Sequence, residues 1–140
     1  MVDKKRILVF SASYNEKENI EKLILGINKY LPEAEILIID DNSPDQTKDI
    51  IKKIQINLEK LKLIVRDSKM GLDTAHKYAY QYAIENDYEY LITMDADLSH
   101  DPKELPNFIM CLKQNPFVIG SRYVKGGSCE MKGSRLIICL

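Results

Sequence analysis

Short apolar runs alternate with helix-like segments along almost the whole of this chain. The run at 35–40, EILIID, is nearly continuous in apolar residues, as is typical of a strand buried on both faces of a parallel sheet. Comparable runs predict further strands at 6–10, 61–66, 90–94 and 117–120. Strands that alternate with helices through short connections are joined by right-handed crossovers. The sequence therefore predicts an α/β fold with a doubly wound, mostly parallel sheet.

Capping residues indicate where the helices between these strands begin. Asn15 and Ser43 are predicted N-caps, because each is followed three residues later by Glu or Gln. Asp101 is a third predicted N-cap, at the start of a helix over 102–113. A further helix is predicted over 71–85. Its packed face is expected to consist of Ala75, Ala79, Tyr82 and Ala83.

Charge and composition exclude several classes of function. Lys and Arg number 20 against 21 Asp and Glu, so a net charge of −1 leaves no polybasic surface for bulk nucleic-acid binding. With two histidines, a multi-histidine metal centre is excluded as well. Cys111, Cys129 and Cys139 have neither the number nor the spacing of a disulfide framework or a zinc site. A chain of 140 residues without a signal peptide or an apolar span is expected to be one cytoplasmic domain.

Polar clusters follow the predicted strands at the point where each strand ends. They are 13–16, 40–43, 95–97 and Arg122. Because the carboxyl ends of parallel strands line one crevice, these clusters predict a ligand site there. Helix capping is the plainer interpretation of Asn15, Ser43 and Asp101. It does not account for Asp95 and Asp97.

Asp95 and Asp97 lie at the end of an apolar strand with only Ala96 between them. Two unpaired carboxylates so close in sequence would repel each other and resist burial. A divalent cation removes that conflict, and carboxylates with substrate phosphates form the usual shell of Mg²⁺ or Mn²⁺. The pair therefore predicts a Mg²⁺ or Mn²⁺ site. A phosphatase-like role is disfavoured, because a nucleophilic Asp of that kind is expected after the first strand.

Five stretches of the chain, taken in order, carry a resemblance to a known family. They are YNEKENI at 14–20, IDDNSPD at 39–45, KMGL at 69–72, MDADLSH at 94–100 and GSRY at 120–123. From about residue 7 to residue 135 the chain resembles family 2 glycosyltransferases of the GT-A fold, a Rossmann-like nucleotide-sugar-binding domain. The strongest likeness is to the dolichol-phosphate mannosyltransferase and polyprenyl-phosphate glycosyltransferase group.

The resemblance implies a role for each matching residue. Tyr14 would lie against the nucleotide base, Glu16 would help to hold the nucleotide, and Asp41 would line the same pocket. Asp97 and Arg122 would be the catalytic residues, acting on the leaving diphosphate. The implied substrate-binding residues are Ala12, Tyr14, Glu16, Ile39, Asp41, Asp95, Ala96, Asp97 and Arg122, with Asp95 and Asp97 also implied as metal ligands.

Other interpretations stay open at several of these positions. Tyr14 can equally be a packing aromatic. Arg66 and Lys69 match positions near the nucleotide, but solvated charges at a strand end explain them as well. Ala12 stands where the group usually has Pro, and Asp73 stands where it usually has Gly. Asp73 thereby adds negative charge near the expected diphosphate.

The implied activity is transfer of a hexose from a GDP- or UDP-linked sugar to a polyprenyl or dolichyl phosphate. Mannose from GDP-mannose is the expected donor, with inversion, dependence on Mg²⁺ or Mn²⁺, and peripheral contact with the cytoplasmic membrane face. No general base is needed, because the acceptor phosphate is already anionic. Family catalytic domains are usually longer, so residues 1–140 are expected to form a single nucleotide-sugar-binding domain without the acceptor-side part. The alternative is a nucleotide-diphosphate-binding fragment without catalytic activity.

Overall fold

A computed structural model of the chain describes residues 6–121 and 123–126. Four parallel strands form one sheet in the order β3-β2-β1-β4. The strands are β1 Ile7–Ser13, β2 Glu35–Asp40, β3 Leu61–Val65 and β4 Tyr90–Thr93. The helices are α1 Ile20–Tyr30, α2 Thr47–Gln55, α3 Leu72–Glu85 and α4 Leu105–Leu112, with a 3-10 turn at Pro102–Glu104. The α/β class and the parallel sheet predicted from the sequence are confirmed.

Both faces of the central strands are buried. On one face, Phe10 and Ile39 belong to a core cluster with the small residues of α3. Those small residues are Ala75, Ala79 and Ala83, and Tyr82 packs against the same cluster. Val9 and Ile36 point to the other face because side chains alternate along a strand, and both are almost fully buried. The packed face predicted for α3 is therefore confirmed.

The described residues divide into two units. Those up to Asn107 form one compact unit, which holds all four strands, and those from Phe108 onward form a second, smaller unit. The prediction of a strand at 117–120 is wrong. No strand is present there, and Phe117 and Ile119 are about three-quarters exposed, at 76% and 75%. An apolar run becomes a strand only when a neighbour completes its hydrogen bonds, and none does so among the described residues.

Two of the three predicted N-caps are wrong. Helix α1 begins at Ile20 rather than directly after Asn15, which has a left-handed backbone with φ of 58°. Helix α2 begins at Thr47, and the Ser43 hydroxyl accepts the Asn15 N–H and donates to Asp40 instead of capping a helix. The prediction for Asp101 is confirmed, since its carboxylate accepts a hydrogen bond from the Lys103 backbone N–H at 3.0 Å.

No helix within the described ranges is both long and apolar enough to cross a membrane. Cys111 is a free, exposed thiol. Cys129 and Cys139 lie outside the described residues.

A polar clamp closes the amino-terminal edge of the sheet. The Arg6 guanidinium donates to Glu35 at 3.0 Å, and it lies 4.3 Å above the centre of the Tyr88 ring. The Tyr88 hydroxyl donates to the other Glu35 oxygen at 2.6 Å. Burial raises the pKa of Glu35, but the hydrogen bonds from Tyr88 and Arg6 outweigh it and hold that pKa below its ordinary value. The ionised form of Glu35 therefore stabilises the fold.

Replacing Glu35 by Gln should change how stability responds to acid. A carboxyl group whose pKa is lower in the folded state stabilises fully above its unfolded pKa and loses that contribution as the pH falls through the folded value. The wild type should therefore exceed Glu35→Gln in stability at pH 7, and the gap should close below about pH 4.5, the ordinary Glu value. Urea unfolding across pH 3 to 7, with exposed Glu33→Gln as control, measures this. A gap that does not change with pH would contradict it.

Candidate functional site

The loops that follow β1, β2 and β4 meet at the carboxyl edge of the sheet. Backbone N–H groups of the loop after β1 donate hydrogen bonds to side-chain hydroxyls that follow β2. Asn15 N–H donates to the Ser43 hydroxyl at 2.9 Å, and Glu16 N–H donates to the Thr47 hydroxyl at 3.0 Å. β4 is tied to β1 on the other side, where the Ser11 hydroxyl donates to the Met94 carbonyl at 2.8 Å. Three of the four predicted polar clusters therefore share one edge, and Arg122 lies outside the described residues.

Asp40 stabilises this edge of the sheet from the interior of the protein. Its carboxylate is fully buried and accepts hydrogen bonds from the Ser13 hydroxyl at 2.8 Å, the Ser43 backbone at 2.8 Å and the Ser43 hydroxyl at 2.6 Å. Removing such a buried acceptor would leave three donors without a partner. Asp40 therefore holds the ends of β1 and β2 together and has no exposed surface for a ligand.

Asp41, the next residue, is held by a cation. Its carboxylate pairs with the Arg66 Nε–H on one oxygen, and its other oxygen accepts from the Met70 backbone N–H at 3.1 Å. The two side chains of this ion pair are about one-tenth exposed, at 10% and 11%. Each oxygen keeps a further lone pair, so an outside donor can still bind. Asp41 is thus an oriented hydrogen-bond acceptor at the carboxyl end of β2.

All three guanidinium nitrogens of Arg66 donate to protein acceptors. Besides Asp41, its guanidinium donates from Nη1 to the Thr74 hydroxyl at 2.6 Å and from Nη2 to the Gly71 carbonyl at 3.0 Å. Gly71 has φ of 93°, a left-handed conformation that glycine adopts without a steric penalty. Arg66 is therefore not a solvated strand-end charge, because it fastens the 66–71 loop and the start of α3 to Asp41.

Tyr14 lies on the surface of the same edge. The residue is 39% exposed, and the Lys69 ammonium lies 4.3 Å from the ring centre, within the range of a cation–π contact. Lys69 belongs to the loop that Arg66 and Asp41 hold in place. The structure therefore brings an exposed aromatic ring, a lysine and an oriented carboxylate to one corner of the edge.

The other implied pocket residues are placed differently. Ala12 is half-buried and pairs with Ile39 across β1 and β2. The Ile39 side chain is 1% exposed and lies in the core cluster, so it presents no surface to a ligand. The Glu16 carboxylate accepts a hydrogen bond from the Asn19 side chain at 3.0 Å. Asp73 is exposed in the first turn of α3.

The loop after β4 presents two carboxylates to solvent. Asp95 and Asp97 are both exposed, whereas Ala96 between them is buried at 4%. The Ser99 hydroxyl and backbone N–H bind Asp97 and, against partial burial, hold the pKa of its carboxyl below the ordinary value. Asp95 is bound through its backbone N–H, which donates to His100 Nδ1 at 3.1 Å.

The donor set of this loop fits a hard divalent cation. Within the described ranges, no group of three or more His, Cys, Asp or Glu side chains could enclose a metal. Asp95 and Asp97 supply carboxylate oxygens from one short loop, and Mg²⁺ and Mn²⁺ are commonly held by one or two carboxylates, with phosphates and water completing the shell. Such a loop suits a metal that arrives with a phosphate-bearing ligand.

The contacts of two residues were not foreseen from the sequence. The sequence predicts for Arg66 either a position near a nucleotide or a solvated charge, and it predicts no site role for His100. The scarcity of arginine, four against 16 lysines, was a signal for Arg66, because a site with several acceptors favours the planar guanidinium. For His100 the only signal was its position five residues after Asp95.

Solved structures show the same fold. A structure of S. aureus TarS residues 1–349 superposes with a TM-score of 0.64 at 23% identity, over 78% of this chain and 32% of that one. The mannosyltransferase PcManGT from Pyrobaculum calidifontis, in complex with GDP-Man and Mn²⁺, gives a TM-score of 0.56 at 22% identity, over 66% and 27%. These neighbours support a GT-A fold.

Sequence comparisons reach further. The undecaprenyl-phosphate mannosyltransferase of Micrococcus luteus is 34% identical over 122 residues, which are 87% of this chain and 50% of that protein. The polyprenol monophosphomannose synthase of Mycolicibacterium smegmatis is 34% identical over 125 residues, or 88% and 47%. The chain thus spans about half the length of these curated relatives. Since the glycosyl transferase family 2 profile also matches residues 9–135, the chain belongs to that family.

Proposed function

We propose that this chain binds a nucleoside diphosphate sugar at the carboxyl edge of its sheet and transfers the hexose to a polyprenyl phosphate. The observation that carries the proposal is the pair of exposed carboxylates, Asp95 and Asp97, on one loop at the same edge of the sheet as Tyr14 and Asp41. The relatives' names support the acceptor class, since one is an undecaprenyl-phosphate mannosyltransferase and the other a polyprenol monophosphomannose synthase.

The base would bind at the Tyr14 and Asp41 corner. An exposed aromatic ring offers a stacking face, and an oriented carboxylate accepts N–H groups of guanine or uracil. Ala12, Glu16 and Ile39 are proposed around the same nucleotide, with Ile39 as part of the support beneath it. GDP-mannose is the proposed donor, because both relatives are named for mannose transfer and one structural neighbour holds GDP-Man. UDP is the competing nucleotide, found with TarS.

Asp95 and Asp97 would hold a Mg²⁺ or Mn²⁺ ion against the diphosphate, with Ala96 between them. When bound, the cation would supply positive charge where negative charge develops on the leaving diphosphate. The Ser99 hydroxyl and backbone N–H hold the pKa of the Asp97 carboxyl below its ordinary value and would orient it for this role. Arg122, outside the described residues, is proposed at the sugar-phosphate end, where its guanidinium would bind an anionic oxygen.

The proposed reaction needs no proton to be removed. An oxygen of the acceptor phosphate, already anionic near pH 7, attacks the anomeric carbon from the face opposite the diphosphate. One carbon–oxygen bond forms as the bond to the diphosphate oxygen breaks, and the electron pair leaves with the nucleoside diphosphate. The configuration at the anomeric carbon is thereby inverted. A polyprenyl acceptor lies in a membrane, so we propose that the chain works from the cytoplasmic side through peripheral contact.

Isothermal titration of the chain with GDP and with UDP, each in Mn²⁺ and in EDTA, tests the binding step. We expect at least one nucleotide to bind in Mn²⁺ and to lose at least about tenfold in affinity in EDTA, because the diphosphate and the metal complete one shell. Guanosine and uridine, which lack phosphate, are the matched controls and should bind equally with and without metal. Equal affinity for the nucleotide in Mn²⁺ and in EDTA, or no binding of either nucleotide, would contradict the proposal.

A transfer assay separates the two functions that the sequence left open. The chain is given radiolabelled GDP-mannose or UDP-glucose, Mn²⁺ and a polyprenyl phosphate in detergent. Label in the lipid phase supports a transferase. Metal-dependent nucleotide binding with no transfer supports the alternative, a nucleotide-diphosphate-binding fragment.

A further inference from the structure

The loop from Asp95 to His100 is fixed at both of its ends. At the first end, Met94 is buried and its N–H donates to the Phe10 carbonyl at 2.9 Å. At the second end, Pro102 is buried so close to α1 that a Cβ on Gly26 would come within 3.0 Å of its ring. The residues between these anchors are largely exposed, so few packing contacts hold them. Their arrangement therefore depends on hydrogen bonds inside the loop.

His100 makes the contact that spans this loop. Its Nδ1 accepts the Asp95 backbone N–H at 3.1 Å, which places the imidazole proton on Nε2. Nε2 in turn lies 3.7 Å from the Asp95 Oδ2 atom. Leu98, at the middle of the loop, has a left-handed backbone with φ of 64°, so the loop turns back sharply enough for His100 to reach Asp95. One ring thus contacts both the backbone and the carboxylate of Asp95.

We propose that His100 is a positioning residue that holds Asp95 for metal binding, an inference that rests on the proposed function. His100 is not itself a ligand in this arrangement, because Nδ1 is occupied by the Asp95 N–H and Nε2 faces the Asp95 carboxylate. It acts through Asp95 by fixing the direction in which that residue leaves β4. Asp97 has its own support from Ser99, so the two carboxylates are oriented by separate contacts. Supporting groups of this kind commonly change metal affinity by about 10- to 100-fold when removed.

Two substitutions at His100 distinguish loss of its contacts with Asp95 from a general effect on folding. In His100→Asn the side-chain oxygen can occupy the position of Nδ1, so the acceptor for Asp95 N–H is retained while Nε2 is lost. His100→Ala removes both contacts. Lys103→Gln is the matched control, since Lys103 lies just after the loop and its ammonium forms an exposed ion pair with Asp101. Thermal unfolding of all three variants reports any loss of fold.

The readout is the affinity for Mn²⁺ in the presence of saturating GDP, measured from free Mn²⁺ by electron paramagnetic resonance. We expect His100→Ala to weaken Mn²⁺ binding by about tenfold and His100→Asn to remain within about threefold of wild type. Lys103→Gln should match wild type. Unchanged Mn²⁺ affinity in His100→Ala, or equal losses in His100→Ala and His100→Asn, would overturn the positioning role while leaving the proposed function intact. Wild type that binds no Mn²⁺ with GDP or UDP would overturn both.

Discussion

Replacing Arg66 by Ala is expected to lower the free energy of unfolding by about 3–5 kcal/mol, because it leaves the Asp41 carboxylate as an uncompensated charge in a largely buried position. The change also removes the hydrogen bonds that the Arg66 side chain donates to the Thr74 hydroxyl and the Gly71 carbonyl, so the start of α3 loses its contacts with this side chain. Urea unfolding followed by circular dichroism measures the loss. A reduction of this size is a large fraction of the stability of a small domain.

Two controls identify the cause. Lys103→Gln removes an exposed ion pair and should cost less than about 1 kcal/mol. Adding Asp41→Asn to Arg66→Ala removes the stranded charge, so the double variant should be more stable than Arg66→Ala alone. An Arg66→Ala variant no less stable than Lys103→Gln, or a double variant with no recovery, would show that the buried pair does not hold the 66–71 loop.

Replacing Asp97 by Asn should weaken Mn²⁺-dependent nucleotide binding by about 10- to 100-fold or more, because even groups that only support a metal ligand commonly change metal affinity by that factor. The Asn side-chain oxygen can still accept the Ser99 backbone N–H, so the loop keeps that contact and loses charge. Stability should change little, since Asp97 is exposed. Titration calorimetry with the preferred nucleotide in Mn²⁺ measures the effect.

The matched control is Asp87→Asn. Asp87 has a left-handed backbone with φ of 54°, which Asn tolerates, and it lies in the turn before β4, away from the carboxyl edge. Asp87→Asn replaces a carboxylate by an amide, as Asp97→Asn does, and changes the net charge by the same amount. Equal affinity in Asp97→Asn and Asp87→Asn would place the metal elsewhere.

The interior of the fold was predictable because burial leaves a regular pattern. The continuous apolar run of β2 indicated a strand covered on both faces, and the alanine spacing of α3 indicated a helix packed closely on the sheet. Helix starts were less predictable, since a Ser hydroxyl has several possible partners. Ser43 has the spacing of an N-cap, but its hydroxyl accepts the Asn15 N–H, and its hydroxyl and backbone N–H donate to the buried carboxylate of Asp40.

The position of the candidate site in the fold was predictable from the sequence. The side chains that hold its carboxylates in place were less predictable. Asp41, Asp95 and Asp97 follow strands, and parallel strands necessarily bring those ends together. The partner of Asp41, in contrast, is 25 residues away in sequence, and no local pattern couples the two. Sequence also could not show that His100 turns back onto Asp95, because that contact depends on the left-handed backbone of Leu98.

The central claim is that a metal–nucleotide complex binds at the carboxyl edge of the sheet, and paramagnetic broadening tests it most directly. Substoichiometric Mn²⁺ is added to the ¹⁵N-labelled chain with saturating GDP or UDP, and amide signals are compared with a sample containing Mg²⁺. We expect the strongest broadening at Asp95 and Asp97, weaker broadening at Tyr14 and Asp41, and the least at the amino-terminal clamp around Tyr88. Broadening centred away from the loop after β4, or broadening that does not depend on the nucleotide, would contradict the account.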